Sequence, residues 1–421
     1  MREMKDSGIE WIGEIPASWN ILKLKYICSK IERGTAPNYT DTPITRVVNQ
    51  ATFSKGYFDN SNIRYSTIPA ATSRGLLKVE DVLLASTGGG VLGKTHYFTE
   101  SDEYVADSHI TIVRALPAIA VGRFIYYCFF VNFDLFNATM AKGSTNQTEL
   151  QRDLLANMQL PLPNIAEQEK IVSFLNFKCS EIDTISADIQ KEIEILEQFK
   201  RSVITEAVTK GLNPDVEMKD SGVPWIGKMP ANWTCIKGKY ILKYMQKPVK
   251  TDDGVITCFR DGEVTLRSNR REDGFTMADK EIGYQGIDVG DLVVHGMDGF
   301  AGAIGISDSR GKASPVLNVL DSRQNKKYIM YYLRSMAYGD VFAALATGIR
   351  VRSCDLRWNK LSVLLYPVPP LEEQAEIVQY IEDTLNKVNG VISEKKQQLT
   401  VIDSYKKSLI YEYVTGKKEA L

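Results

Sequence analysis

The most regular alternation of apolar and polar positions lies in two long stretches, and each predicts a long helix. In the first, no Gly or Pro occurs from Ala166 through Thr209, and Ile171, Leu175, Ile182, Ile185, Ile189, Ile193, Leu196, Phe199 and Val203 return at steps of three, four and seven. That spacing puts one apolar stripe on a helix of about 65 Å, at ~1.5 Å per residue. The second stretch carries Ile377, Ile381, Leu385, Val388, Ile392, Leu399, Ile402, Tyr405, Leu409 and Tyr413, broken only by Gly390. Two helices with one stripe each need a partner, and within one chain the nearest is the other copy. The pattern predicts an intramolecular two-helix coiled coil.

The two stretches are copies in ungapped register. Pro161 matches Pro367, Pro163 matches Pro369, Glu167-Gln168 match Glu373-Gln374, Ile171-Val172 match Ile377-Val378, and Val208-Thr209 match Val414-Thr415. The prolines can end an extended strand, and the acids and Gln that follow suit the positive start of a helix. A second repeat turns the pair into a tandem duplication: MKDSGIEWIGEIPASW at Met4 to Trp19 returns as MKDSGVPWIGKMPANW at Met218 to Trp233, and Lys25-Tyr26-Ile27 returns as Lys239-Tyr240-Ile241. Paired tryptophans beside Gly and Pro predict an anchored, mostly extended lead-in.

Between these frames lie two globules, roughly 20–158 and 234–364, with little likeness in sequence. Short apolar runs bounded by Gly, Asp, Asn and Ser predict mixed α/β domains rich in short strands. Asp81 to Ser86 and Ile110 to Arg114 read as strands in the first and Val121 to Phe136 as a helix; Asp291 to His295, Ala303 to Ser307 and a helix Lys327 to Tyr338 follow in the second. The expected fold class is α+β, a pseudo-twofold tandem repeat in which two mixed α/β globules are separated by two long antiparallel helices. Frames that repeat around globules that differ predict one scaffold with two recognition surfaces.

Composition narrows the setting. The 421 residues exceed one core, and 44% hydrophobic with 24% charged residues is an ordinary soluble balance. The opening MREMKDSGIEWIGEIP has no apolar signal core, and no run approaches a membrane span. Cysteines 28, 128, 179, 235, 258 and 354 lack CxxC spacing, and histidines 96, 109 and 295 form no ligand cluster. These features predict a cytoplasmic protein without a structural metal. A net charge of −1 neither demands nor excludes nucleic acid, because the placement of charge decides.

Gly88-Gly-Gly-Val-Leu-Gly93-Lys94-Thr95 matches the phosphate-loop pattern GxxxxGK[ST], so a nucleotide-binding reading stands as an alternative. A true phosphate loop opens a helix. His96 to Glu103 reads as a poor helix and a plausible second strand, and the glycine-rich stretch after Asp291 to His295 has no GK[ST]. A strand, glycine turn, strand unit explains both halves. Pro214-Asp215-Val-Glu217-Met-Lys219 superficially resembles a nuclease PD…ExK set, but its members are adjacent, and a linker accounts for them. No [ND]PP[YF] tetrapeptide occurs, and no catalytic centre is evident.

The basic and amide residues of the turns are candidates for reading DNA. Arg contacts guanine bidentately, Asn and Gln contact adenine, and Lys, Ser and Thr hold phosphates. The second globule offers Arg260, Arg267, Asn269, Arg270, Arg271, Arg350 and Arg352; the first offers Arg33, Thr35, Asn38, Tyr39, Asn49, Gln50 and Lys94, with Thr145, Asn146 and Gln147 at the place matching Arg350 and Arg352. Surface Arg and Asn are often merely solvated, and it is their recurrence in matching loops that singles these out. A coiled-coil scaffold that never touches DNA is the third reading.

The duplicated lead-ins (Asp6 to Trp19, Asp220 to Trp233), the duplicated Pro-x-Pro…Glu-Gln helix starts (Pro161 to Gln168, Pro367 to Gln374), the DVLLASTGGGVLGK turn and the GSTNQTEL loop give a chain that resembles the DNA specificity subunit of type I restriction-modification systems over essentially its whole length. The resemblance implies a non-catalytic reader with two target recognition domains, each reading one half of a split, asymmetric site in double-stranded DNA. Its segments would be 1–158 and 213–364 for lead-in and recognition domain, with 159–212 and 365–421 as spacer helices. The resemblance further implies that two modification subunits dock on the frame and methylate adenine, and that restriction subunits join to translocate and cleave. S-adenosylmethionine, ATP and Mg would then reside on those partners and no cofactor on this chain. A span of several tens of ångströms between half-site centres exceeds one DNA turn of about 34 Å, so an unread spacer is expected. The near-neutral charge implies that partners supply much of the phosphate binding.

Overall fold

The computed structural model describes residues 2–143, 148–270, 281–345 and 356–420. Two helices dominate it, Ile165–Lys210 and Leu371–Val414, of 46 and 44 residues. The chain divides into two compact units, Met1–Ile189 with Gln397–Leu421, and Gln190–Lys396. Each unit therefore contains the start of one long helix and the end of the other.

In the first unit the two helix segments run antiparallel. Phe174 stacks on Tyr413 with ring centres 4.4 Å apart, and one turn pair further on Lys406 donates to Asp183 at 2.6 Å. Ile171, Leu175, Cys179 and Ile182 share a core with Leu409, Ile410, Tyr413 and Val414, and this core continues into the globule through Phe124, Tyr127 and Cys128. The second unit repeats the scheme with Ile204, Ala207 and Val208 against Ile377, Val378 and Ile381, and an ion pair between Lys395 and Glu192.

The stripe read from the sequence is wider than the buried seam. Ile185, Phe199 and Tyr405 stand 51%, 48% and 57% exposed. A two-helix seam buries only the narrow a/d line, and at ~100° per residue Ile185 lies about 60° off Ile182. Asp183 and Ala187, two residues to either side of Ile185, border a groove against Tyr97 and Arg123 of the first globule, so Ile185 faces away from that globule. The exposed apolar positions are themselves repeated: Ile185, Val401 and Tyr405 in the first unit match Val391, Ile195 and Phe199 in the second, all exposed.

Each lead-in is a short hairpin, Met4–Asp6 with Glu14–Pro16 and Met218–Asp220 with Lys228–Pro230. The next strand, Asn20–Lys23 or Thr234–Lys237, pairs with the proline-containing strand that precedes a long helix, Gln159–Leu162 or Leu365–Val368. The repeated Glu-Gln dipeptides then fasten the helix starts. Trp19 Nε1 donates to Glu167 at 3.1 Å, and Trp233 Nε1 donates to Glu373 at 2.9 Å. Gln168, fully buried, accepts from the Val121 amide at 2.8 Å and donates to the carbonyls of Pro163 and Ile119 at 2.9 and 3.1 Å. Gln374, equally buried, accepts from the Asn325 amide at 2.9 Å and donates to the Pro369 carbonyl and Gln324 Oε1 at 2.8 and 2.7 Å. Each Trp also meets the end of the other helix: Gly416, at φ +71°, lies so close to Pro16 and Trp19 that a Cβ there would come within 2.4 Å of Pro16.

The globules share the topology of their central sheet despite their sequences, while their smaller sheets differ. The central sheet has the order Cys28–Arg33, Ile110–Ala115, Val82–Ala85, Thr95–Tyr97 in the first and Leu242–Met245, Leu317–Ser322, Leu292–His295, Ile304–Ile306 in the second, antiparallel throughout. Strand alternation lets the central strands serve two cores: Val82 and Leu84 face the helices, whereas Leu83 and Ala85 pack with Val48, Phe53 and Ile110. Both sheets carry a buried aspartate just before the third strand, neutralised differently. Asp81 receives Arg114 Nε and Nη2 at 2.6 and 2.7 Å, while Asp291 receives Lys247 at 2.7 Å. Among the described residues no helix is long and apolar enough to cross a membrane.

Candidate nucleic-acid interface

In the first globule a polar cluster gathers at the end of the sheet where strand Val82–Ala85 stops and strand Ile110–Ala115 starts. Gln50, at the head of the short helix Gln50–Phe53, reaches across to donate to the Thr87 carbonyl at 2.7 Å, the Thr87 hydroxyl at 3.1 Å and the His109 carbonyl at 3.2 Å. Thr87 Oγ1 lies 2.8 Å from His109 Nδ1. Arg33, at the end of strand Cys28–Arg33, pairs with Glu149 and donates to the Ser86 carbonyl at 3.4 Å. Tyr39, 48% exposed, lies under the Arg64 guanidinium at 5.2 Å and donates to Asp107. Burial raises the Asp107 carboxyl above its ordinary range, against the opposing pull of the His109 amide.

Other candidates of this globule are engaged within the fold. Asn49 caps the Gln50–Phe53 helix, accepting from Ala51 and donating to the Asn62 carbonyl at 2.7 Å. Thr35 is hydrogen-bonded to Ser73 at 2.7 Å, and Lys94 donates to the Ser54 carbonyl. Asn38 is exposed beside Tyr39. The GxxxxGKT stretch is a turn between strands Val82–Ala85 and Thr95–Tyr97, with Gly88, Gly90 and Gly93 at φ +90°, +81° and +88°. Its glycines serve left-handed turn geometry, the Gly93 amide is bound to the Ala85 carbonyl at 2.9 Å, and a strand follows where a phosphate loop needs a helix.

In the second globule Thr257, Arg260, Arg267, Arg270, His295 and Asp298 line a cavity of about 660 Å³. Arg260 donates to Asp298 at 3.0 Å, and Arg270 pairs with Asp261 at 2.7 Å and Glu263 at 3.0 Å while lying 4.2 Å from the Phe259 ring centre. Arg267 Nε reaches Thr257 Oγ1 at 3.4 Å, and Asn269 donates to Thr265 at 2.9 Å. His295 Nδ1 accepts the Met297 and Asp298 amides at 3.2 and 2.9 Å, and burial lowers its pKa. Acid partners thus hold Arg260 and Arg270 extended at the cavity rim. Arg271, Arg350, Arg352, Thr145, Asn146 and Gln147 lie outside the described residues, as does Cys354.

Sequence reasoning passed over His109, Thr87, Arg64, His295 and Asp298. The available signal was scarcity: of three histidines in the chain, two stand at the same end of their respective sheets.

The profile of the family described as the type I restriction modification DNA specificity domain matches residues 16–195. Over 96% of its length the chain is 23% identical to the protein named MjaX specificity subunit of Methanocaldococcus jannaschii, of which 95% is covered. Over 97% it is 19% identical to the type I restriction enzyme StySPI specificity subunit of Salmonella potsdam, with 91% of that protein covered. Its fold is similar to that of a solved chain from work on complex assembly and conformational transition of the type I R-M system, at TM-score 0.67 and 15% identity over 96% of this chain and 99% of the other.

Proposed function

Since the chain belongs to the specificity subunits of type I restriction-modification systems, DNA-binding and without a catalytic role of its own, we propose that its two globules read the two halves of a split, asymmetric site in double-stranded DNA. The observation that carries this reading is one sheet topology, set twice in the same frame, bearing unlike polar clusters at its ends. Identical reading heads would select a symmetric site; unlike heads select different half-sites. Gln50, Tyr39, Arg33, Thr145, Asn146 and Gln147 serve one half, and Arg260, Arg267, Arg270, Arg350 and Arg352 the other, with amide and guanidinium groups on base edges. Asn38 stands beside Tyr39 on the same surface. Thr35, Asn49, Asn269 and Lys94 shape these surfaces from behind, and Arg271 is assigned to the second half-site with its neighbours in sequence.

The long helices set the reach between half-sites. At ~1.5 Å per residue a helix of 46 residues is about 69 Å long, more than one DNA turn, which leaves an unread spacer. Two modification subunits dock on the frame. The exposed trios Ile185, Val401, Tyr405 and Val391, Ile195, Phe199 support this, because an apolar surface repeated at matching positions suits a partner present in two copies. Restriction subunits join the same assembly, and S-adenosylmethionine, ATP and Mg belong to those partners.

Methylome sequencing of a strain carrying this subunit tests the reading. A split motif with unlike halves is expected, and Arg267→Ala with Arg270→Ala relaxes one half while Gln50→Ala relaxes the other. A continuous or palindromic motif, or an arginine variant that degrades both halves equally, overturns it. A nucleotide-binding role predicts that Lys94→Ala abolishes nucleotide binding in calorimetry; a bonded Lys94 in a strand-to-strand turn predicts none to lose.

A further inference from the structure

Most residues identical in the two lead-ins have a task inside the fold. Trp19 and Trp233 hold Glu167 and Glu373. Lys5 and Lys219 donate to the carbonyls of Ala17 and Ala231, and Asp6 and Asp220 accept the amides of Gly8 and Gly222. Tyr26 and Tyr240 stand apart from these. They sit on equivalent helical turns, Leu24–Ile27 and Gly238–Ile241, whose Leu24, Ile27 and Gly238 are buried while the tyrosine rings stand 59% and 72% exposed. In both copies the preceding lysine lies over the ring, Lys25 at 5.3 Å and Lys239 at 4.9 Å. The chain thus displays an exposed Lys-Tyr pair twice, with the first lysine also donating to Asn157 at 2.9 Å.

Position argues against DNA as its occupant. The first turn leads into strand Cys28–Arg33, and Arg33 at the far end belongs to the reading cluster. At ~3.3 Å per residue that strand separates Tyr26 from the cluster by about 17 Å. The two reading clusters differ in their residues, whereas the Lys-over-Tyr pair itself returns in both copies. A surface kept alike on both halves of a chain whose DNA-facing parts are unlike fits a protein present in two copies. Tyrosine suits such a contact, with an apolar ring and a polar tip, and a cation over the ring adds a charge for the partner to meet.

We propose that Lys25-Tyr26 and Lys239-Tyr240 are a second docking point for the two modification subunits, one pair per copy, additional to the helix trios. The complementary surface is an apolar slot that takes the ring, with a carboxylate at its edge for the lysine. This inference rests on the docking reading above, and the test keeps the two separable. Purified modification subunit is titrated by calorimetry into the full wild-type chain, Tyr26→Ala, Tyr240→Ala, the double variant, and a chain with Ile195→Asp and Val401→Asp, with thermal melts confirming that each is folded. Each tyrosine variant weakens one of two binding events about tenfold or more, and the double variant weakens both. Tyr26→Phe with Tyr240→Phe retains most of the affinity, since the ring makes the contact. Wild-type affinity for the double alanine variant, alongside loss in the Ile195→Asp and Val401→Asp chain, overturns the tyrosine inference and leaves the docking reading standing. Failure of the wild-type chain to bind modification subunit overturns both. Loss of DNA affinity by the chain alone, with partner affinity intact, reassigns the pair to DNA and overturns the inference.

Discussion

Replacement of Gln168 by leucine strands three hydrogen-bonding groups at a joint between globule and helix. The side chain is fully buried, and its amide serves the Val121 N–H, the Pro163 carbonyl and the Ile119 carbonyl. Leucine has nearly the same volume, so a cavity adds little. An unpaired buried group costs ~1–3 kcal/mol. The Val121 amide, which enters the helix Gly122–Val131, is the clear donor loss, and the two carbonyls add a smaller share. Taking about 3 kcal/mol for the three and returning roughly 1 kcal/mol for apolar burial leaves a net loss of about 2 kcal/mol. With a urea m-value of about 2–3 kcal/mol/M, the unfolding midpoint of the first unit falls by roughly 0.7–1 M at unchanged m. Gln374→Leu acts on the second unit and costs less, because one of its partners is the Gln324 side chain, which can turn to other partners. Urea unfolding followed by tryptophan fluorescence reads both, with Trp19 reporting on one unit and Trp233 on the other. A midpoint for Gln168→Leu within about 0.2 M of wild type, or a larger loss for Gln374→Leu, would refute the reasoning.

His96 lies between Phe53 and Phe58, with ring centres 5.8 and 5.3 Å away, and burial together with the Arg123 charge lowers its pKa to about 4. The unfolded chain takes up that proton near pH 6.5, so the stabilisation is full above pH 6.5 and is lost as pH falls toward 4, by roughly 3 kcal/mol. His96→Phe should flatten the decline of melting temperature between pH 7 and 5; an unchanged slope assigns the decline elsewhere. Gly390 is exposed within the helix Leu371–Val414, and a Cβ there would meet no atom within 4 Å. Gly390→Ala should therefore stabilise the second unit by about 1 kcal/mol through helix propensity, seen as a raised urea midpoint. Arg114→Met leaves buried Asp81 unpaired and should cost about 3 kcal/mol in the same assay, more than any exposed ion pair of the chain.

How much of this could be read from the sequence follows from the range of the interactions. The long helices were readable because nothing in Ala166 to Thr209 breaks them and because the second copy repeats their starts. The seam was read too broadly: Ile185, Phe199 and Tyr405 obey helical periodicity yet stay in water, since periodicity reports a face and only the partner decides how wide a strip is covered. The repeated Glu-Gln dipeptides were visible as helix-start chemistry, but their partners Trp19, Ile119 and Val121 are distant in the chain. Sheet topology was hidden for the same reason. The two globules share little sequence, and even their buried aspartates draw the compensating cation from different places, Arg114 in strand Ile110–Ala115 and Lys247 just beyond strand Leu242–Met245. Selection of candidates by residue type gathered Gln50 and the arginines lining the second cavity together with Thr35, Asn49 and Lys94, which are hydrogen-bonded within the fold. Those three bear the same polar groups that shape turns and caps, so residue type could not separate them. Repetition separates better than type. A residue that returns in both copies with an internal partner is explained by the frame; one that returns exposed, such as Tyr26 with Tyr240 or Phe199 with Tyr405, is not, and it is on such residues that the docking proposed above rests.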